Sequence, residues 1–209
     1  MFCVMFTPGE QEAFASGNRC PKTVARYARL AYIDLVHGER APEPDDYRMA
    51  EITLSSFTEV DLDWLLAIEA RARTEGFIRG NDRAGHEYHL GRPDRRYLKI
   101  LSDGAPIGFV ILGGIGGEDQ VIELGRIIID EPHRGVGQGA LRVIIDYIFT
   151  ELNAHKVWLD TLDHNQRGQH IYEKLGFVRE GLLREGFLMN DTRRDMVLYG
   201  LLRREWYGA

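Results

Sequence analysis

The sequence predicts a compact domain of α and β elements over residues 51–209, preceded by an extension over residues 1–50. From Glu51 onward, β-rich runs alternate with helical patterns in the order strand, helix or helices, three strands, helix, strand, helix and two strands. Residues 39–50, ERAPEPDDYRMA, hold two prolines among charges, which is typical of a linker. A chain of 209 residues accommodates one full domain with a remainder, and the extension is that remainder.

Composition excludes several classes of protein. Hydrophobic residues make up 44% and charged residues 28%, which excludes a disordered chain. No apolar run approaches the roughly 20 residues that span a bilayer, and the opening MFCVMF is too short for a signal-peptide core. The two cysteines, Cys3 and Cys20, cannot form a disulfide framework, so we expect a cytoplasmic protein with no membrane partner. A net charge of −6 argues against a nucleic-acid partner but permits a local basic pocket for one anionic ligand.

The extension contains one predicted helix. Pro21 suits the first helical position, and His37 with Gly38 suits the end. One stripe of this helix is apolar, which predicts docking against the domain or a second subunit and makes a homodimer one expectation. The stripe consists of Val24, Ala28, Ala31 and Leu35.

The first half of the domain predicts a strand, a capped helix and a hairpin. EITLSSF is a short strand, and Thr58 with Asp61 three residues later forms a capping-box start. Residues 77–95 predict a loop with one short helix, and residues 95–114 predict a hairpin around Ser-Asp-Gly-Ala-Pro.

The second half predicts four strands and two helices. A β-branched strand, VIELGRIIID, leads into the glycine-rich turn EPHRGVGQG, and ALRVIIDYIFTEL then forms a helix that is apolar on nearly every side. After it come the strand KVWLDTL, a helix that Gly176 stops, and two strands over residues 177–202.

The glycine turn Arg134–Gly139 predicts an anion site. Glycines let backbone N–H groups point one way, the helix N-terminus adds partial positive charge, and Arg134 adds a cation. The alternative is an ordinary strand-to-helix turn with glycines for packing. A dinucleotide fold would need G-x-G-x-x-G in a first βαβ unit, and a P-loop would need Gly-Lys-Ser/Thr, so neither fits.

The order R-x-x-G-x-G, apolar helix and N-x6-Y-x3-G-F resembles the GNAT superfamily of N-acetyltransferases. It resembles in particular the branch with the ribosomal-protein α-amine acetyltransferases, and the resemblance covers residues 51–207. It implies an α+β fold with a mixed, mostly antiparallel central sheet of about seven strands flanked by helices. The residues that carry it are Arg134, Gly137, Gly139, Asn165, Tyr172, Gly176 and Phe177.

The resemblance implies acetyl-CoA as co-substrate, with no metal. In the family, the pantetheine arm runs beside the strand before the turn, which points here to Ile127, Ile128 and Ile129. A run of isoleucines is also what any buried strand contains. The backbone that would hold the pyrophosphate comprises Arg134, Gly135, Val136, Gly137, Gln138, Gly139 and Ala140.

The resemblance also implies catalytic roles. Tyr172 matches the residue that protonates the CoA sulfur; the alternative is an aromatic core residue on the helix. Asn165 matches the residue that holds pantetheine or a water, and it is also a good helix N-cap. Glu123 stands where some relatives have a general base; the competing interpretation is a structural carboxylate paired with Arg126 or another basic residue.

Other candidates are weaker. The segment from His86 to His89 is one residue short of H-E-x-x-H, so we expect a polar helix face or a substrate-loop surface there rather than a metal site. No serine lies in G-x-S-x-G and both cysteines precede the domain, which favours direct transfer in a ternary complex.

The sequence does not identify the amine that accepts the acetyl group. The resemblance allows a protein α-amine, a polyamine, an aminoglycoside or an amino sugar. Residues 73–96 mix acidic and basic side chains without a clean acidic lining, so polyamines rank lower. An alternative function is a catalytically silent acyl-CoA sensor or scaffold, against which the intact Tyr172 and Asn165 argue.

Overall fold

The computed structural model describes residues 51–74, 76, 78–130 and 136–208. The predicted extension over residues 1–50, with its helix and both cysteines, lies outside the described residues. So do Arg134 and Gly135 of the predicted anion site.

Seven strands form one mixed sheet in the order β1-β2-β3-β4-β5-β7-β6. Neighbouring strands are antiparallel except for β4 and β5, which run parallel. This confirms the expected fold class. The strands are β1 (Ile52–Ser56), β2 (Arg95–Ser102), β3 (Ala105–Gly113), β4 (Val121–Ile129), β5 (Lys156–Leu162), β6 (Val178–Met189) and β7 (Thr192–Leu202).

Helices flank the sheet on both sides. A 3-10 turn over Glu59–Asp61 leads directly into the first of them. The helices are α1 (Leu62–Thr74), α2 (Arg83–Leu90), α3 (Val136–Thr150), α4 (Gln166–Lys174) and α5 (Arg203–Trp206).

The predicted hairpin of β2 and β3 is present, and the two strands predicted over residues 177–202 also pair as a hairpin; their turns explain both. Asp103 and Gly104 between β2 and β3 have φ of 47° and 83°, and Asn190 and Asp191 between β6 and β7 have φ of 47° and 60°. Two consecutive positive φ values suit the right-handed twist of the flanking strands, and Asp, Asn and Gly tolerate them best.

The predicted helix ends are largely correct. The Thr58 backbone N–H and hydroxyl both donate to the Asp61 carboxylate, at 2.9 and 3.2 Å. After α4, Gly176 has φ of 91°, a left-handed conformation that ends the helix. The start of α3 differs from the expectation: Gly137 and Gly139 belong to its first turn, because the helix begins at Val136 and not at Ala140.

The two faces of the sheet have separate cores. One, called here the α3 face, includes Leu124, Ile127 and Ile129 of β4 packed with the apolar side of α3. The other, called the α1 face, packs Leu65 and Ile68 of α1 against side chains of β3 and β4.

Candidate active site

A cleft opens between β4 and β5. The two strands pair at three positions, the last of which joins Glu123 to Trp158. Beyond this point Leu124–Ile129 continue to pair with β3, while β5 continues to pair with β7. In the described part of the chain, the edge of β4 that faces the cleft therefore has no strand beside it after Glu123. An extended ligand with amide groups can bind there as an additional strand.

A β-bulge interrupts β4 inside the cleft. Ile111 of β3 pairs with Arg126 and Leu112 pairs with Leu124, so Gly125 is an extra residue on β4. A bulge bends its strand and redirects its backbone groups. A redirected N–H at this position suits the stabilisation of an oxyanion.

The N-terminus of α3 follows the cleft end of β4. The first N–H groups of a helix have no partner within the helix, and its dipole places partial positive charge there. Gly137 and Gly139 are buried in this first turn and lack side chains that would block a ligand. The described part of the predicted anion site, from Val136 onward, thus lies at a helix N-terminus, which suits a phosphate, and phosphate binding stays a prediction.

Asn165 caps α4. Its side-chain oxygen accepts from the Gly168 N–H at 3.0 Å, and its amide donates to the Thr161 hydroxyl on β5 at 3.0 Å. The structure thus shows the N-cap role, and the contact with pantetheine stays a prediction.

Tyr172 lies on α4 and is fully buried. Its ring centroid is 5.9 Å from that of Phe177 and 5.9 Å from that of Tyr199, within the core of the α3 face. The role of a core aromatic is therefore observed, and proton donation to the CoA sulfur stays a prediction.

Glu123 is an ion-paired carboxylate at the point where β4 leaves β5. Its Oε2 accepts from Arg95 Nη1 at 2.9 Å, and its side chain is 24% exposed. Arg126, the partner named in the competing interpretation, binds Glu69 instead. The base role of Glu123 stays a prediction.

Sequence analysis missed a buried polar network on the α1 face. The Arg126 guanidinium on β4 donates to the carboxylate of Glu69 on α1, which is 1% exposed. The other Glu69 oxygen lies 3.2 Å from His86 Nε2, and His86 Nδ1 lies 3.1 Å from the Tyr97 hydroxyl. Arg126 also donates to the Arg79 carbonyl at 3.3 Å, which connects the network to the loop between α1 and α2.

Burial and pairing set the ionisation in this network. Burial would raise the pKa of Glu69, but the hydrogen bond from His86 and the charge of Arg126 outweigh it and lower the pKa below its ordinary value. Burial raises the pKa of Tyr97 to about 12.

The expectation of a polar surface around His86 is wrong for that residue, because His86 is completely buried, whereas Glu87 and Tyr88 are exposed. The signal that could have found the network is Glu69 itself, since its helical spacing from Leu62 and Leu65 places it on the apolar face of α1.

Neither a metal-ligand cluster nor a membrane-spanning helix is present among the described residues. Within residues 51–74, 78–130 and 136–208, no three side chains of His, Cys, Asp or Glu are grouped so as to hold a metal ion. Within the same residues, no helix combines the length and apolar character needed to cross a membrane.

Comparisons with known proteins agree on one family. The family described as acetyltransferase (GNAT) matches residues 62–177. Bacillus subtilis YdaF, provisionally named a ribosomal N-acetyltransferase, is 33% identical over 110 residues, which are 52% of this chain and 60% of YdaF. The spermidine N(1)-acetyltransferase of Escherichia coli K12 is 30% identical over 134 residues, which are 63% of this chain and 70% of that enzyme.

A solved structure shows the same architecture. The spermidine N-acetyltransferase of Vibrio cholerae, in complex with CoA and spermine, superposes with a TM-score of 0.67 at 25% identity. The match covers 75% of this chain and 98% of that one.

Proposed function

The chain belongs to the GNAT acetyltransferase family, and on that premise we propose that it transfers an acetyl group from acetyl-CoA to a primary amine by direct attack in a ternary complex. The observation that carries the proposal is the cleft between β4 and β5, which has a bulge at Gly125 and the N-terminus of α3 at the end of β4. The pantetheine arm can pair with a free strand edge. The thioester oxygen needs a redirected N–H, and the pyrophosphate suits a helix N-terminus.

In this proposal the cofactor arm lies along the open edge of β4 beside Ile127–Ile129. The pyrophosphate accepts hydrogen bonds from the first turn of α3, Val136–Ala140, together with Arg134 and Gly135. Because these contacts are made by backbone groups, they depend on the course of the chain and not on the isoleucine side chains.

The reaction in this proposal has one bond-forming step. The unprotonated amine attacks the thioester carbonyl carbon, and the oxyanion is held at the bulge. The C–S bond then breaks, the thiolate takes the phenolic proton of Tyr172, and the phenolate regains a proton from solvent before the next turnover. The proton lost by the amine passes to Glu123, directly or through water, or to solvent.

The acceptor is a protein α-amine or a small-molecule amine. Polyamines ranked lower as acceptors on the sequence alone. They are included among the acceptors to be tested, because some relatives are named spermidine N-acetyltransferases. The alternative of a silent acyl-CoA sensor has no observation in its favour.

A cytoplasmic location and self-association through residues 1–50 belong to the proposal. The solution mass of the chain with and without residues 1–45 tests the second.

Release of the CoA thiol from acetyl-CoA, measured with a panel of amines, tests the proposal. We expect release that depends on the amine, with an acetylated product. Tight binding of CoA without turnover of any amine would support the sensor instead.

Tyr172→Phe tests the proton donor. We expect kcat to fall by about 10- to 1000-fold with little change in acetyl-CoA affinity. Tyr199→Phe is the matched control, since it also removes a hydroxyl from a buried ring, the one that donates to Glu173 at 2.8 Å. Equal kcat in the wild-type and Tyr172→Phe enzymes would refute the assignment.

Gly137→Val tests the pyrophosphate site. A β-branched side chain in the first turn of α3 should obstruct the phosphates and weaken acetyl-CoA binding in a titration. Arg142→Val, at an exposed position of the same helix, controls for the helix propensity of valine. Gly137→Ala serves as a milder variant, and unaltered affinity in both Gly137 variants would overturn the site.

A further inference from the structure

Arg79 contacts a residue of β4 through its backbone and a residue of β6 through its side chain. Its carbonyl accepts from Arg126 Nη2 at 3.3 Å, and Arg126 directly follows the Gly125 bulge of β4. Its guanidinium carbon lies 5.0 Å from the centroid of the Phe187 ring on β6. In the sheet, β5 and β7 lie between β4 and β6, so Arg79 connects residues of two strands that are not neighbours.

The Phe187 ring, over which the Arg79 guanidinium lies, is held in place by β6. Most of β6 is exposed, but Phe187 is only 4% exposed. A register shift between Leu183 and Phe187, with Glu185 at φ of 53°, sets the ring on this face. Its register partner on β7 is Arg194, whose side chain is exposed and on the same face as the ring. Arg79 therefore lies over the Phe187 ring, and Arg194 stands opposite Phe187 on the neighbouring strand.

Arg79 and Arg194 bring positive charge to this place. Among the described residues, neither Arg79 nor Arg194 forms an ion pair with a carboxylate, whereas Glu69 is bound to Arg126 and His86. Glu123 is paired with Arg95. Asp160 of β5 also belongs to the α1 face, since its neighbour Leu159 packs in the core of the α3 face, but Asp160 is only 7% exposed.

We propose that Arg79, with Arg194, binds an anionic group of the acceptor, a carboxylate or a phosphate a few atoms from the amine that is acetylated. This rests on the proposed function and names the substrate class for the same site. Guanidinium groups bind carboxylates and phosphates through paired hydrogen bonds, and Arg79 is already held at its backbone and over the ring. A polycationic acceptor such as spermidine would meet like charge there, so this chain differs in acceptor class from the relatives named for spermidine.

Two matched series of amines test the inference. The first is β-alanine, β-alaninamide and 1,3-diaminopropane; the second is the amidated dipeptides Ala-Asp, Ala-Asn and Ala-Lys. Each series keeps a common primary amine and changes a nearby group from anionic to neutral to cationic. In the cationic members that nearby group is itself a second primary amine. The measurement is kcat/KM from CoA thiol release for the wild type, Arg79→Gln, Arg79→Glu and Arg92→Gln. Arg92 is the matched control because its guanidinium carbon also lies over a ring, 5.8 Å from the centroid of Tyr88.

In at least one series we expect the anionic member to exceed the cationic member by about tenfold or more. Arg79→Gln should reduce this ratio by about tenfold, Arg79→Glu should invert it, and Arg92→Gln should leave it unchanged. A cationic preference in the wild type, or a ratio that Arg79→Gln and Arg79→Glu do not move, would overturn the inference while leaving the acetyltransferase function intact. Absence of thiol release with every amine would refute the proposed function, and the inference would fall with it.

Discussion

On the α3 face of β4, Leu124, Ile127 and Ile129 pack against hydrocarbon, whereas on the α1 face Arg126 meets Glu69 in a buried ion pair. Both sets of side chains are withdrawn from water, but different forces hold them. Apolar packing has no preferred direction and depends on volume. The ion pair fixes particular atoms, and through Arg126 it fixes the carbonyl of Arg79. The α3 face therefore supplies stability, and the α1 face fixes the loop between α1 and α2 that carries Arg79.

Removal of the Glu69 charge should produce the largest effect. Glu69→Gln keeps the shape of the side chain but leaves Arg126 without its carboxylate, which should cost about 3 kcal/mol of unfolding free energy in urea. Glu123→Gln is the control, because its partner Arg95 is partly exposed and such pairs contribute about 0–1 kcal/mol. Equal costs for the two variants would remove the distinction between a buried and a surface pair.

The same pair should make stability depend on acid pH. The folded protein lowers the pKa of Glu69 below its unfolded value of about 4.3, so the contribution is complete above that pH and is lost as the pH falls through the folded pKa. The difference in stability between the wild type and Glu69→Gln should therefore shrink as unfolding is measured from pH 5 downward. A difference that stays constant to pH 3 would show that the carboxylate charge is not what stabilises this face.

Ile144→Val should have the smallest effect of the three. Ile144 is fully buried on α3, and the loss of one methyl group should cost about 1 kcal/mol. This cost should be the same at pH 4 and pH 7, since no charge is involved. A pH-dependent cost would mean that the two faces are coupled through β4.

The sequence predicted the features that local chemistry determines. The hairpin of β2 and β3 follows from Asp103-Gly104, because few other residue pairs adopt two positive φ values. The turn at Asn190-Asp191 has the same property, but only the two strands beside it were predicted. The start of the first helical segment follows from Thr58 and Asp61, which hydrogen-bond across three residues. These interactions are complete within a few residues of the chain, so their sequence patterns are sufficient.

Features that join distant segments could not be predicted. His86 is buried because Glu69 and Tyr97, 17 and 11 residues away in sequence, supply its hydrogen bonds. The bulge at Gly125 is defined only by the register against β3, and the cleft only by where β5 separates from β4. Arg79 and Phe187 come together only when the whole sheet is assembled.

The short parallel contact between β4 and β5 has a consequence for hydrogen–deuterium exchange. Backbone amides of Leu124–Ile129 alternate in direction, so some donate to β3 and the others face the cleft. In the free protein we expect the second set to exchange their protons for deuterium faster than the first, although all six residues belong to one buried strand. Added acetyl-CoA should slow the second set selectively, which would reveal the course of its pantetheine arm amide by amide.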